Sequence, residues 1–223
     1  MTTPAHPPMT FTRMRALIRA DLARRLVLEG APPTLRRTLG LLPRPGCAAV
    51  VLFRLNQWLE ARRLRLLSKL VELVLFYWAR VELHPGAQIG PGLVLPDVGG
   101  VGIPAFARIG ERCTLTGPVL LTIGGMEGID LAHDRIVLGD DCVLGTGVRI
   151  LGAVALADGT QVKPNSVVIT STTHPGTVLA GIPARRRGNL PLETIQQWNP
   201  LRGEPLSVAS PVPQKPETAG AIA

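Results

Sequence analysis

The chain has 223 residues, a formal charge of +8, and 46% hydrophobic but only 4% aromatic residues. That length buries a sizeable core in one domain or one and a half. Aromatics do not interleave with the charges as they do in nucleic-acid modules, so no nucleic-acid partner is expected. Cys47, Cys113 and Cys142 form an odd, widely spaced set with no C-x-x-C pair. This argues against a disulfide framework and against any metal site of the zinc type, and for a reducing cytoplasm. Most of the excess charge is Arg in the first 80 residues. It fits an anionic partner, such as a phosphorylated cofactor or a membrane surface met peripherally through basic helices; solvated helix faces account for it equally well.

Residues 1–12 are rich in Pro and Thr, lack the apolar centre of a signal peptide, and read as disordered. Residues 13–80 read as an α-helical region. In its first helix Leu17, Ile18, Leu22 and Leu26 share one face with Arg opposite, and Gly30 with Pro32 and Pro33 ends it. A short helical turn is expected over Leu35–Leu42. A better helix runs from Cys47 to Arg62 on Val50, Val51, Leu55, Trp58 and Leu59, and another from Leu64 to about Arg80. The apolar run within the last of these is broken by Arg65, Lys69 and Glu72, and its clean part is too short to span a bilayer, so the protein reads as soluble or peripheral. Phe76, Tyr77 and Trp78, at the C-terminal end of that helix, read as an aromatic lid.

From Leu138 to Thr173 the period changes. Leu138, Leu144, Ile150, Leu156, Val162 and Val168 recur every six residues, and each fifth place is small or β-branched. Neither a helix nor an alternating strand has that period. Hexapeptide blocks that each make one short strand and one turn of a parallel β-helix do. Leu83, Ile89, Leu95 and Val101 keep the same spacing; the phase then slips by two, and Ile103, Ile109, Leu115 and Leu121 resume it. Between Leu121 and Leu138 the pattern lapses, and residues 124–137 read as an extruded loop. The chain is therefore expected to be α+β, with the helical region leading into a β-helix over 81–187. The Pro-rich tail 188–223 is expected to hold a short helix near Glu193–Trp198 and to be largely disordered.

FRLNQWL (Phe53–Leu59), the junction LHPGAQIGPGL (Leu83–Leu93), LTIGG (Leu121–Gly125), LGDDCVLGTGVRILG (Leu138–Gly152) and AGIPAR (Ala180–Arg185) occur in an order that resembles the serine acetyltransferase branch of the hexapeptide acyltransferases. The resemblance covers about residues 13–187. It implies a left-handed parallel β-helix, assembly as a homotrimer or dimer of trimers, and acetyl-CoA held as co-substrate between neighbouring prisms. It also implies transfer to a small hydroxyl acceptor, nominally L-serine, as in cysteine synthesis. A sugar or natural-product hydroxyl is the alternative acceptor.

Acetyl transfer from a thioester to an alcohol needs a base for the hydroxyl proton, worth about 10²–10⁴-fold, and N–H groups for the oxyanion. Gly124 and Gly125 lack a Cβ and suit a close approach to the thioester. Lys163 and the basic end of the coil at Arg185–Arg187, with Gly181 of the AGIPAR motif, suit the CoA phosphates, although a solvated cluster is the plainer reading of those arginines. Where members of the resembled family carry a general-base His, this chain reads LPDVGGV and places Asp97. An aspartate in water titrates at about 3.9 and is a weak base at neutral pH. His133, in the loop segment AHDRIVLG, is the second catalytic candidate, against the plainer reading of a solvated loop His. His84 in the HPGA turn reads as structural, bonding across the first coil, and His174 reads as a turn residue. The replaced His leaves a third reading open, a homologue that binds CoA without turnover.

Overall fold

The computed structural model describes residues 9–123 and 135–191. Helix α1 (Phe11–Leu28) starts inside the stretch expected to be disordered, because the Thr10 hydroxyl accepts a hydrogen bond from Arg13 N at 3.2 Å and caps it. Two further helices come next, α2 (Leu35–Leu41) and α3 (Pro45–Ala61), the latter opened by a proline that needs no N–H there. Helix α4 (Arg65–Val74) continues as a π-helical turn, Leu75–Ala79, which ends at Arg80 with φ +52°. Leu75 and Ala79 are the inward residues of that turn. Phe76, Tyr77 and Trp78 are exposed, so they do not form the expected lid.

Beyond Arg80 the chain winds as a three-sided coil. Its strands are β1 (Val81–Leu83), β2 (Gln88–Ile89), β3 (Val101–Ile103), β4 (Arg108–Ile109), β5 (Thr114–Leu115), β6 (Val119–Thr122), β7 (Val137–Leu138), β8 (Val143–Leu144), β9 (Val148–Leu151), β10 (Ala155–Leu156), β11 (Gln161–Val162), β12 (Val167–Val168), β13 (Thr177–Ala180) and β14 (Arg185–Asn189). The first face pairs β1-β3-β6-β9-β12, the second β2-β4-β7-β10, and the third β5-β8-β11-β13-β14, with Val94 bridging to Thr114. Every pairing is parallel except β13 with β14. Each opening aliphatic of the hexapeptide blocks, from Leu83 to Val168, is buried and fills the prism. Each such side chain contributes about 1.5–3 kcal/mol.

The register locates both breaks in the repeat. Val101 pairs with Val119, eighteen residues on, whereas Val81 pairs with Val101, twenty residues on. The two extra residues lie in the corner 96–100, which holds Asp97. Val119 pairs with Val148, twenty-nine residues on, an excess of eleven that equals the length of 124–134. The loop expected over 124–137 ends earlier than that. Ile136 is fully buried and Val137 pairs in β7, because an apolar residue is needed there to fill the resumed coil. At the far end Gly181, at φ +101°, reverses the chain. Strand β14 then folds back antiparallel across the expected boundary at 187, so the closing strand is not another parallel rung.

The helices hold the open first coil through polar groups as well as apolar ones. Leu22 and Leu26 pack with Leu41 and Cys47, but the buried side of α1 also carries Asp21 and Arg24. Asp21 Oδ1 accepts from Gly92 N at 2.7 Å and Leu93 N at 2.8 Å, and Asp21 Oδ2 accepts from Arg54 Nε at 2.9 Å. Arg54 also donates to the carbonyls of Ile89 and Gly90 at 2.8 and 2.6 Å, and Arg24 to those of Gly92 and Cys113 at 2.7 and 2.9 Å. Burial pushes the Asp21 carboxyl above its ordinary range, while Arg54 and the two N–H groups pull it back. An amphipathic pattern alone does not reveal this contact, because the helix lies against a turn whose N–H and C=O groups need partners. Cys113 and Cys142 lie inside the prism, and a hydrogen bond between them together with burial pushes the Cys142 thiol well up. That is packing chemistry rather than nucleophile chemistry.

Candidate functional site

The corner between the third and first faces carries the described candidates. Its first step is Pro96–Gly100, two residues longer than the equivalent step Thr116–Pro118. Val98 packs partly against the core and pins the corner, which leaves Asp97 exposed. Gly99 and Gly100 take φ of +102° and +79°, a region that other residues enter only with strain. Gly100 N donates to Arg80 O at 2.7 Å, and Gly100 O accepts from Val119 N at 3.1 Å. Asp97 makes no side-chain hydrogen bond or ion pair among the described residues.

The same edge climbs coil by coil. Gly147 N donates to Pro118 O at 2.7 Å, Asn165 N to Thr146 O at 2.8 Å, Val167 N to Gly181 O at 3.1 Å, and Gly181 N to Ser166 Oγ at 3.1 Å. Lys163, at the start of the fourth step, and Gly181, at the fifth, therefore stand in one column with Asp97. With coils stacked at about 4.8 Å, three steps put Lys163 about 14 Å from Asp97. Lys163 is exposed, and so is Arg185, which lies opposite Ala180 in the closing hairpin. Thr170–Thr173, His174, Thr177, Arg185 and Arg186 line a cavity of about 200 Å³ at that end. The edge thus offers a carboxylate at its base and cations towards its top.

Gly124, Gly125 and His133 lie outside the described residues. The segment that holds them leaves the first face after Ile123 and returns at Arg135, on the edge of that face opposite Asp97. His84 sits on that opposite edge in the first coil. Its Nδ1 accepts from Gly86 N at 3.0 Å inside the turn, and it is its backbone N that bonds across to Ile103 O at 3.0 Å. The side chain is therefore a local turn partner, while the bond across the coil is made by the main chain. His174 is exposed, and its carbonyl accepts from Thr177 Oγ1 at 2.6 Å, which fits a turn residue.

One feature of the site region escaped the sequence. A groove of about 870 Å³ runs between α4 and the first face. It meets a smaller cleft of about 460 Å³ lined by Gly100, the neighbour of the Asp97 corner. The spacing of Leu66, Leu70, Leu73 and Tyr77 was its only trace, and apolar residues at helical spacing read first as core.

No family model matches the chain. It is 30% identical over 161 residues to the serine acetyltransferase of Synechococcus elongatus, covering 72% of this chain and 64% of that protein, just under two thirds of its length. It is 30% identical over 194 residues to the serine acetyltransferase of Mycobacterium tuberculosis, covering 87% of this chain and 77% of that protein. Among solved structures, the soybean serine acetyltransferase complexed with serine matches with a TM-score of 0.66 at 29% identity, over 78% of this chain and 69% of that one.

Proposed function

This chain belongs to the serine acetyltransferase family, and we propose that it moves the acetyl group of acetyl-CoA onto a hydroxyl, with L-serine as acceptor. The observation that carries the proposal is the match over 194 residues, which takes in the helical region and the coil together. With it go the left-handed sense of the coil, a threefold assembly of prisms, a cytoplasmic setting and a place in cysteine synthesis.

The column on the third-to-first edge supports a chain-like substrate lying along it. Its phosphates would meet Lys163 and Arg185 near Gly181, and its thioester would meet the Asp97 corner. The carboxylate of Asp97 takes the proton of the serine hydroxyl as the oxygen attacks the thioester carbon. A C–O bond forms, the C–S bond breaks, and the CoA thiolate leaves and is protonated. Because Gly124, Gly125 and His133 stem from the opposite edge of the first face, they come from the neighbouring copy in the threefold assembly. There Gly124 and Gly125 supply N–H groups to the oxyanion, and His133 shares the proton work.

A thiol-release assay tests this, with acetyl-CoA and serine beside a panel of sugars and amino alcohols and with CoA binding measured on the same sample. Turnover on serine supports the proposal. Turnover only on another panel member replaces the acceptor. CoA binding without turnover makes the chain a silent homologue, a reading favoured by one observation: Asp97 stands exposed, with no partner among the described residues, where a His is expected.

A further inference from the structure

Helix α4 and the π-helical turn that extends it carry their polarity inverted. Ser68, Leu75 and Ala79 face the core, and the Ser68 hydroxyl is buried there without a hydrogen-bond partner. Leu66, Leu70, Leu73 and Tyr77 stand on the outer side, Leu66 at 77% and Tyr77 at 74% exposure, and form one wall of the 870 Å³ groove. Leu67, Val74 and Trp78 are exposed as well, yet they do not line that groove. Each follows a member of the first row by one residue, about 100° further round the helix. The apolar face therefore wraps over the crest of the helix and is wider than a coiled-coil seam. An exposed apolar surface of this kind marks an interaction site. A partner helix seated in the groove would leave Leu67, Val74 and Trp78 in water, whereas a bilayer covers both rows at once.

The charge around this ridge is one-sided. From residue 62 to residue 80 the chain carries Arg62, Arg63, Arg65, Lys69 and Arg80 against the single carboxylate of Glu72, which Lys69 takes up. All five cations are exposed, and the four arginines form no ion pair among the described residues. The start of α1 adds to the basic end. Phe11 and Trp58 meet edge to face at 5.9 Å, with Arg15 over the Phe11 ring and Arg62 over the Trp58 ring. Glu60 and Glu82, exposed at the two ends of the stretch, leave the cations in excess. We propose that this ridge docks the protein on an anionic phospholipid surface, with both apolar rows sunk at the headgroup boundary and the arginines on the lipid phosphates. Leucines and aromatics on one face and arginines beside them are the composition of a helix that lies in the interface. The stem of Lys69 follows the apolar row and lets its ammonium reach back to the headgroups. No helix among the described residues is long and apolar enough to cross a membrane, so α4 lies along the surface rather than through it. The docking goes beyond the acetyl-transfer reading and does not rest on it.

The test is flotation of the full chain with vesicles of phosphatidylglycerol and phosphatidylcholine in equal parts. The wild type is expected to float with them, to bind phosphatidylcholine vesicles at least about tenfold more weakly, and to come off as salt is raised. Leu70→Glu/Leu73→Glu is expected to lose flotation; both positions are exposed, so the variant keeps its fold, which far-UV circular dichroism checks. Arg62→Gln/Arg65→Gln is expected to bind the mixed vesicles at least about tenfold more weakly. Tryptophan emission is expected to shift to the blue when vesicles are added, and Trp78→Phe to abolish that shift, which holds the proposal to account even if the glutamate variant misfolds. A wild type that stays in the aqueous layer, equal binding to neutral vesicles, or a blue shift that survives Trp78→Phe overturns the docking. Light scattering without lipid separates it from contact between copies. The glutamate variant is expected to keep the wild-type mass, and a fall in mass would assign the ridge to another copy and overturn the proposal. Binding alone is read throughout, so a wild type that floats but transfers no acetyl group leaves the docking standing and defeats only the catalytic reading.

Discussion

Asp21 and Arg54 form an ion pair with both side chains at 1% exposure or less, and together they satisfy four main-chain groups of the first coil: the N–H of Gly92 and Leu93 and the C=O of Ile89 and Gly90. The pair locks α1 and α3 to the open end of the prism. Arg54→Met leaves a buried, uncompensated carboxylate and is expected to cost about 3–5 kcal/mol in urea unfolding. Removing both charges with Asp21→Leu/Arg54→Met is expected not to restore the wild type, because the two N–H groups then lose their acceptor.

Gly46 lets α3 lie against the first coil. A Cβ built there would stand 2.0 Å from Leu95 O, main-chain oxygen that cannot step aside. Gly46→Ala is expected to destabilise by about 1–3 kcal/mol. Gly40 in α2 has nothing within 4 Å of the same position, so Gly40→Ala is expected to gain about 0.5–1 kcal/mol. Thermal melts of the two variants should move in opposite directions.

If Asp97 takes the acceptor proton, Asp97→Asn lowers kcat by about 10²–10⁴-fold with CoA binding intact. Asp97→His, which supplies a base that titrates nearer neutrality, is expected to raise kcat. Thiol release at saturating acetyl-CoA measures both, and a gain-free Asp97→His would mean that the acceptor pocket has diverged.

Lys163 is a test of the upper part of the edge. Lys163→Ala is expected to raise the KM for acetyl-CoA with kcat nearly unchanged, since it removes binding shared by ground state and transition state. The loss should shrink as salt is added, because the interaction it removes is exposed.

The coil was open to sequence reasoning because its interior accepts one residue type at one spacing. Leu138, Leu144 and Ile150 announce it, and the slip by two reports the lengthened corner, although the register puts the extra residues before Val101, which pairs with Val81 and opens no block. The helices were legible as helices but not as to what they touch. Asp21 and Arg24 look like surface charges on α1 because their partners are main-chain atoms some seventy to ninety residues away, and main-chain atoms leave no trace in composition. The outward leucines of α4 mislead for the opposite reason, since helical periodicity says which residues share a face but not which way that face looks. The column of Asp97, Lys163 and Gly181 falls between the two: each residue could be picked out singly, but their alignment emerges only from the register.

That alignment makes the prism a ruler. Because the edge advances by one coil at a time, the separation between the carboxylate and any cation above it is an integer multiple of about 4.8 Å. A duplicated or deleted coil changes that separation in whole steps while leaving the corner beneath untouched. If the substrate lies along this edge as proposed, the length it spans is counted in coils, while the corner at its foot is shaped separately, by the five residues from Pro96 to Gly100.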